Sequence, residues 1–253
     1  MNQLPRLLQL CSQALPVGAY AYSQGLEAAI FDATVHDAIS AETWIKGVFT
    51  DGFVELDLVA LGVAMRALET GPACIVTLPE LDDYLQASRE TSELLLEDLE
   101  MGRSLRRLLD TLDIAVIPIG ERPSFATQFA RAGFSWGIPS QDLMSGFCFS
   151  WLENQIAAAT KSIPLGQSEA QIMLGKLIAL ISPCVKHAVS KADAVELVFE
   201  PSTGESPVSG NSASTVASDE ESGSSGWEFG LSMPGLSMYS SRHEIQEARL
   251  YRS

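Results

Sequence analysis

The sequence predicts an all-α protein: a single helical-bundle domain, then an acidic Ser/Gly-rich insertion, then a C-terminal tail. Apolar residues recur at spacings of three and four along the first two hundred residues, and alternating β-branched runs are missing from the sequence. Hydrophobic residues make up 46% of the 253 residues, enough to bury one sizeable core or two small ones. We assign residues 1–200 to the helical domain, 201–230 to the insertion and 231–253 to the tail.

The first long apolar stripe follows Ser40 and keeps the i, i+4 spacing of a buried helix face until Gly71 and Pro72 end the segment. Asp57 lies inside it as a lone acid between apolar residues. It is either a buried, hydrogen-bonded anchor or part of the wet side of the helix, and the sequence leaves both readings open. The stripe consists of Trp44, Ile45, Val48, Phe49, Phe53, Leu61, Met65 and Leu68.

Pro79 suits the first turn of the next helix, which the apolar spacing extends as one long helix to about Leu112. Gly102 on its stripe permits close approach of a neighbouring segment. Arg89 and Glu93 have the i, i+4 spacing of an ordinary surface ion pair, so this charged stretch is interpreted as a solvated helix face.

Further helices have recognisable start signals. Ser124 is a candidate N-cap, and Pro139 with Ser140 predicts another helix start. Ser168 and Gln171 have capping-box spacing, so a helix is predicted to begin there. Pro183 is expected to kink or interrupt that helix.

Composition excludes several function classes. The net charge of −16 disfavours nucleic acid and anionic membrane, while basic partners or metal-handling proteins remain open. We find no segment long and apolar enough to span a bilayer, and cytoplasm is the expected compartment. Scattered thiols without a C-x-x-C pair suit a reducing compartment; they are Cys11, Cys74, Cys148 and Cys184.

The sequence contains no phosphate-binding loop, nucleophile elbow or zinc-protease motif. Cys184 and His187 would share a helix face and could form half a metal site; the alternative is a core cysteine beside a surface histidine. We therefore predict no catalytic residue, no metal site and no cofactor.

The stretch "LPVGAYAYSQGLE" (residues 15–27) has more chemical detail than a helix-to-helix turn requires. Its small residues allow close backbone approach, and tyrosines combine an apolar ring with a polar hydroxyl. Such a surface suits contact with another protein or with the chain's own core. Its candidate contact residues are Tyr20, Tyr22, Ser23 and Gln24.

Residues 201–226 are mostly Ser, Thr, Gly and Pro, with acidic residues and no Lys or Arg. Such a segment buries too little apolar surface to offset its ordering entropy, so the insertion is predicted to be disordered. Aromatic residues, arginines and a histidine return after it, and we expect this tail to dock onto a protein surface.

The motifs "LPVGAYAYSQGLE", "SRETSEL…MGRSLRRLL", "FSWLENQIAAATKSIPLGQSEAQ" and "SSRHEIQEARLYRS" resemble those of the urease accessory protein UreF family. The similarity covers most of residues 4–200 and resumes at about 233. It implies an all-helical protein, usually a homodimer, that is not itself an enzyme.

The resemblance also implies partners. Family members bind the accessory protein UreD (also called UreH), and together they recruit the GTPase UreG. The complex acts on apo-urease, so that its active-site lysine is carbamylated and nickel is inserted. An alternative function is a GTPase-activating regulator that supplies catalytic groups to UreG in trans; an enzyme acting on a small amide is the third reading.

The resemblance places partner contacts in two regions. The family's tail orders when UreD binds, and "RLYRS" here stands where "RLFRS" is usual. "TKSIPLGQ", with Lys161 and Gln167, is similar to a pattern implied in UreG contact, although a solvated turn lysine is the alternative. The matching tail residues are Arg242, His243, Glu244, Arg249, Leu250, Tyr251, Arg252 and Ser253.

Overall fold

A computed structural model describes residues 3–71, 76–115, 117, 121–197, 227, 229–246 and 248–252. All regular structure in these residues is helical, which confirms the predicted fold class. A 3₁₀ turn, Ala19–Ala21, precedes α2, and a π-helical segment, Val48–Leu58, joins α3 to α4. The α-helices are α1 (Leu4–Leu10), α2 (Leu26–Phe31), α3 (Ala38–Gly47), α4 (Val59–Thr70), α5 (Thr77–Ala87), α6 (Ser92–Thr111), α7 (Phe125–Ser135), α8 (Ser140–Ser162), α9 (Gln167–Ile178), α10 (Ile181–Ala194) and α11 (Pro234–Glu244).

Helices α4 and α8 form the centre of the core. Every residue from Val59 to Met65 is buried, because α4 packs against α7, α8 and α10. Aromatic rings join α8 to its neighbours: Phe147 lies 4.9 Å from Phe53 and 4.7 Å from Phe129 between ring centroids. Each such pair contributes about 0.5–1.5 kcal/mol beyond its buried area. The predicted apolar stripes are therefore the core.

The single long helix predicted up to about Leu112 is wrong, because the chain breaks between α5 and α6. Thr91 has extended backbone angles, φ −136° and ψ 157°, and its side chain accepts a hydrogen bond from the Leu94 N–H at 3.2 Å. Threonine is a favoured N-cap, and this cap starts α6 as a separate helix. Apolar spacing continues across the break, so periodicity alone does not show it.

The backbone between α3 and α4 also departs from the predicted α-helix. Val48–Leu58 is π-helical, with i→i+5 hydrogen bonding in place of i→i+4. Phe49 and Phe53 are nevertheless buried as predicted. The spacing of apolar residues cannot distinguish an α-helix from a π-helix here, because each hydrogen bond of a π-helix spans only one residue more than that of an α-helix.

Helix α9 begins at Gln167, one residue before Ser168, where the sequence predicts its start. The predicted capping box of Ser168 and Gln171 is wrong. Gly166 is the N-cap, and its N–H donates to the Glu169 carboxylate at 3.0 Å. Pro183 lies in the first turn of α10, after an interruption at residues 179–180, as the sequence predicts.

One candidate membrane span does occur among the described residues, contrary to the expectation of none. Gln167–Ala194 is long and apolar enough to cross a bilayer: an 18-residue window within it has a mean hydropathy of 1.5, and 33% of that window is buried. The stretch is two helices, however, and α9 with 12 residues is only about 18 Å long. A bilayer core is about 30 Å thick, so neither helix alone matches a span.

The end of the predicted insertion is partly described. Residues 201–226 lie outside the described residues, so their disorder stays a prediction. Trp227 and Phe229 are buried, and their ring centroids lie 5.9 Å and 4.8 Å from that of Tyr84. Trp227 and Phe229, which the sequence assigns to the insertion, therefore belong to the packed part of the chain.

Candidate functional site: the docked C-terminal tail

The tail, described at residues 231–246 and 248–252, packs against α2 and α6. Gly25, the N-cap of α2, has φ 75°, a conformation that residues with side chains rarely adopt. A Cβ atom at Gly25 would lie 3.3 Å from side-chain atoms of both Leu236 and Tyr239. Glycine at this position therefore lets α11 approach α2 closely.

Tyr239 anchors α11 to the body. Its ring meets Trp44 edge-on with centroids 5.1 Å apart, and its hydroxyl lies 2.6 Å from that of Thr34. Arg242 lies 5.7 Å over the same ring and pairs with the carboxylate of Asp32. This side of α11 thus combines aromatic, hydrogen-bonded and ionic contacts.

His243 is completely buried between carboxylates of two helices. Its Nδ1 lies 3.0 Å from Glu93 of α6, and its Nε2 lies 3.0 Å from Glu27 of α2. Burial raises the pKa of Glu93, although His243 and Arg249 act to lower it. One histidine of the tail therefore joins two helices of the body.

The last described residues bind the same two carboxylates. Arg249 donates to Glu93 at 3.0 Å, and the backbone N–H groups of Leu250 and Tyr251 donate to Glu27 at 2.6 Å and 2.9 Å. Hydrogen bonds to charged groups are worth about 1.5–3 kcal/mol, more than neutral ones. Glu27 and Glu93 are therefore polar anchors of the last part of the tail.

The tail ends against the N-terminal turn and α8. Tyr251 is buried, its hydroxyl donates to the Ala158 carbonyl at 3.4 Å, and burial raises its pKa. The Arg252 N–H donates to the Ala21 carbonyl at 2.7 Å. Two segments that the sequence marks separately, the N-terminal turn and the tail, are thus one structural unit.

Within the turn, three of the four predicted contact residues face the chain's own interior. Tyr22 and Ser23 are buried. Gln24 donates to Glu97 at 2.7 Å and accepts from the Trp151 indole at 3.0 Å. Tyr20 points outward and is 65% exposed. Of the two readings, contact with the core holds for three residues, and Tyr20 remains available to a partner.

Lys161 and Gln167 lie on either side of the α8–α9 turn, and both are exposed. Lys161 is in the last turn of α8, which also supplies Ala158, the contact of Tyr251. The exposed α8–α9 turn therefore adjoins the end of the docked tail. Within the turn, Ile163 and Leu165 are buried.

Arg89 lies in the α5–α6 turn and does not pair with Glu93 as predicted. It binds the Asp57 carboxylate with two hydrogen bonds, at 2.5 Å and 3.1 Å, and lies 3.3 Å from Asp98. Asp57 is thus a partly buried, ion-paired anchor, 17% exposed, rather than the wet side of a helix. These side chains line a cleft of about 90 Å³ beside the N-terminal turn.

The chemistry around Cys184 and His187 does not form a metal site. His187 lies 2.7 Å from Glu55, and Lys191 donates to the same carboxylate at 2.8 Å. Burial acts to raise the pKa of Glu55, but hydrogen bonds from Lys191 and His187 lower it overall. Across the described part of the chain, no group of three or more His, Cys, Asp or Glu residues is placed to hold a metal ion.

Sequence reasoning missed Glu27, Glu93 and Glu97 as site residues. Glu27 stands inside the quoted turn motif, but nothing in its local spacing predicts a partner 216 residues away. Glu93 has a local arginine at i−4, and this suggested the wrong pair. Contacts of this range are set by tertiary packing, which the apolar pattern does not encode.

The fold and site define a protein that is all-helical in its described residues and whose most elaborate polar contacts hold its own C-terminal segment. A sequence model of the UreF family matches residues 35–178. The chain belongs to the UreF family.

Relatives match along the whole chain. A protein of Teredinibacter turnerae is 39% identical over 254 residues, covering 100% of this chain and 99% of the relative. One of Chromohalobacter salexigens is 38% identical and covers 99% and 94%, and one of Polynucleobacter asymbioticus is 35% identical and covers 100% and 98%. Each of these relatives is named "Urease accessory protein UreF".

Proposed function

We propose that this chain is a non-catalytic assembly factor for nickel urease. It binds UreD/UreH, helps recruit the GTPase UreG, and supports insertion of nickel into apo-urease. Membership of a family whose relatives are named urease accessory proteins supports the general role. The specific partners come from the resemblance of the tail and turn motifs.

The observation that carries the proposal is the composite surface formed by the docked tail and its neighbours. Phe31 on α2 is 75% exposed, and Ile245 and Leu250 on the tail are 82% and 65% exposed. Tyr20, 65% exposed, precedes Ala21, whose carbonyl accepts from the Arg252 N–H of the tail. Large exposed apolar side chains on packed neighbouring elements are a feature of protein-binding sites. We assign this surface to UreD.

The α8–α9 turn is the proposed contact for UreG. Lys161 and Gln167 are both exposed there, and the lysine supplies a positive charge for an acidic partner. We also propose a homodimer within the complex and a cytoplasmic location, as the family resemblance implies.

The chemistry of the described residues supports binding rather than catalysis. Burial raises the pKa of Cys11 to about 12, so its thiol is protonated at neutral pH and is a poor nucleophile. Arg242 and Arg249 both pair with carboxylates of their own chain, so neither stands out as an arginine finger. For these two arginines of the tail, a binding role is favoured over the GTPase-activating alternative.

Co-expression of apo-urease, UreD and UreG, with and without this chain, tests the function. We expect urease activity only when the chain is present. Full activation in its absence would remove the proposed role. Stimulation of GTP hydrolysis by UreG that one arginine substitution abolishes, with binding intact, would support the alternative.

A further inference from the structure

The outward-facing side of α9 and α10 is apolar although it lies outside the core. An 18-residue window within Gln167–Ala194 has a mean hydropathy of 1.5, yet only 33% of that window is buried. Ile172 and Ile178 are 61% and 41% exposed, and a Cβ atom at Gly175 would meet nothing within 4 Å. This surface is termed the outer face, and its exposed positions at spacings of three and four are Ser168, Ile172, Gly175, Ala179, Ser182 and Lys186.

The outer face continues from α9 into α10 despite the interruption between the two helices. Ala179 and Leu180 both keep right-handed helical angles, φ −60° and ψ −20° for the first and φ −82° and ψ −19° for the second. The Cys184 N–H donates to the Leu180 carbonyl at 3.1 Å, which resumes the α-helical pattern. Positions spaced by three and four therefore stay on one side of both helices.

The outer face and the turn before it are basic in a strongly acidic chain. The net charge of the chain is −16, yet four of its five lysines lie within residues 161–191. The same stretch contains one acidic residue, Glu169, whose carboxylate accepts the Gly166 N–H at 3.0 Å. The four lysines are Lys161, Lys176, Lys186 and Lys191.

Two of these lysines are available to a partner. Lys176 pairs with Glu42 at 2.7 Å, and Lys191 pairs with Glu55 at 2.8 Å. The other two are exposed and form no ion pair with any residue that the structure describes. Lys161 precedes the outer face and Lys186 lies at its far end, so unpaired positive charge flanks the apolar centre on both sides.

We propose that the outer face, together with the α8–α9 turn, docks an acidic protein surface that has an apolar centre. The inference rests on the proposed function, in which Lys161 contacts UreG, and it extends that contact along α9 and α10. A stable interface covers about 800 Å² of each partner, and the exposed residues of one turn cannot supply that area. Opposite charges around an apolar centre combine attraction at a distance with burial on contact.

The composition of the outer face favours a protein over an anionic membrane. Helices that lie on membranes insert an apolar side rich in Trp, Phe and Leu. Residues 167–194 contain no Phe, Trp or Tyr, and Leu174 and Leu177 are buried in the core. The net charge of −16 also opposes approach of the whole chain to anionic lipid. An acidic protein therefore fits the outer face better.

Gly175 supplies a pair of variants that differ in the sign of their charge. Because the space around it is open, Gly175→Glu and Gly175→Lys should both leave the chain's own packing intact. Both add a long side chain, so a difference between them reports charge rather than bulk. Lys186→Glu reverses the charge at the end of the outer face, and Arg103→Glu makes the same change on the exposed side of α6 as a control.

Isothermal titration of UreG into the complex of the full chain with UreD measures the docking. We expect wild-type binding to weaken between about 50 mM and about 300 mM salt, because salt screens exposed charges. Gly175→Glu and Lys186→Glu should each raise the Kd at least about tenfold, since like charges would then face each other. The Kd for Gly175→Lys and Arg103→Glu should stay within about twofold of wild type. Circular dichroism confirms that each variant is folded.

Wild-type affinity in both Gly175→Glu and Lys186→Glu would overturn the inference and leave the proposed function standing. Failure of the wild-type complex to bind UreG would instead contradict the proposed function, and this inference with it. Equal weakening by Gly175→Glu and Gly175→Lys would overturn the acidic chemistry assigned to the partner. Cosedimentation with vesicles of phosphatidylglycerol and phosphatidylcholine completes the test: binding that Gly175→Glu removes would assign the outer face to lipid and overturn the proposal.

Discussion

Arg89 shows how one residue holds the corner between two helices. Its side chain is 13% exposed and lies between the carboxylates of Asp57, 17% exposed, and Asp98, 4% exposed. A two-point contact between guanidinium and carboxylate fixes orientation as well as charge. The turn after α5 is therefore fastened both to the π-helical segment and to α6.

We predict that Arg89→Met lowers the free energy of unfolding by about 3–5 kcal/mol, because it leaves two mostly buried carboxylates without their cation. Urea denaturation followed by circular dichroism measures the change. Arg103→Met is the matched control: its pair with Glu100 is 45% and 37% exposed, and its loss should cost no more than about 0.5 kcal/mol. Equal effects of the two substitutions would contradict this account of Arg89.

The sequence could not predict this residue's role. Spacing pairs Arg89 with Glu93 only if both lie on one helix, and the helix ends at Ala87. Its actual partner Asp57 lies 32 residues away, on an element whose hydrogen-bonding pattern the apolar spacing does not reveal. Glu93 instead binds His243, which is 150 residues away. Local ion pairs are predictable from spacing, and these are not local.

At the scale of elements, Gly102 fixes how closely α6 approaches the segment before α7. A Cβ atom at this position would overlap with the backbone carbonyl of Pro123. Backbone cannot rotate away as a flexible side chain can. The small-residue position in the predicted stripe is therefore confirmed as a site of close approach.

We expect Gly102→Ala to destabilise the protein by about 1–3 kcal/mol, the usual cost of overpacking. Gly175→Ala is the paired control in α9, where a Cβ atom would meet nothing within 4 Å. Alanine has the higher helix propensity, so this control should stabilise by about 0.5–1 kcal/mol. Thermal and chemical unfolding of both variants gives the comparison; a neutral Gly102→Ala would mean that α6 can shift to accommodate a methyl group.

Elements with strong local signals were predictable, and those set by packing were not. The start of α8 after Pro139 and the interruption near Pro183 follow from proline geometry. Helix α7 starts after Ser124 as predicted, but the serine side chain makes no capping hydrogen bond, and the Phe125 N–H donates to Asp98 instead. The break at Thr91 and the π-helical segment preserve the apolar pattern on either side. No spacing argument could have located them.

At the scale of the whole molecule, the tail contacts α2 and the N-terminal turn, which are distant from it in sequence. Both the N-terminal turn and the tail were predicted as contact segments, but not that they contact each other. The Arg252 N–H binds the Ala21 carbonyl, and His243 reaches Glu27 across 216 residues. Any partner of the tail must therefore recognise a surface to which α2 and the turn also contribute.

This arrangement predicts separate roles for residues of the tail that face inward and outward. Ile245→Ser changes a side chain that is 82% exposed, so stability should change by less than about 0.5 kcal/mol while UreD binding weakens. Tyr251→Ala removes a buried ring and should undock the end of the tail as well. Isothermal titration with UreD, alongside exchange protection of residues 248–252, separates the two effects; strong UreD binding by both variants would count against the assigned surface.

The most direct test of the central claim, that this chain acts through its docked tail, is a pull-down with UreD after deletion of residues 240–253. We expect the deletion to abolish UreD binding and to leave the helical circular dichroism of the body intact. A chain lacking the same number of residues from 205–218 should bind normally. Equal recovery of UreD by the full-length chain and by the folded 240–253 deletion would contradict the account.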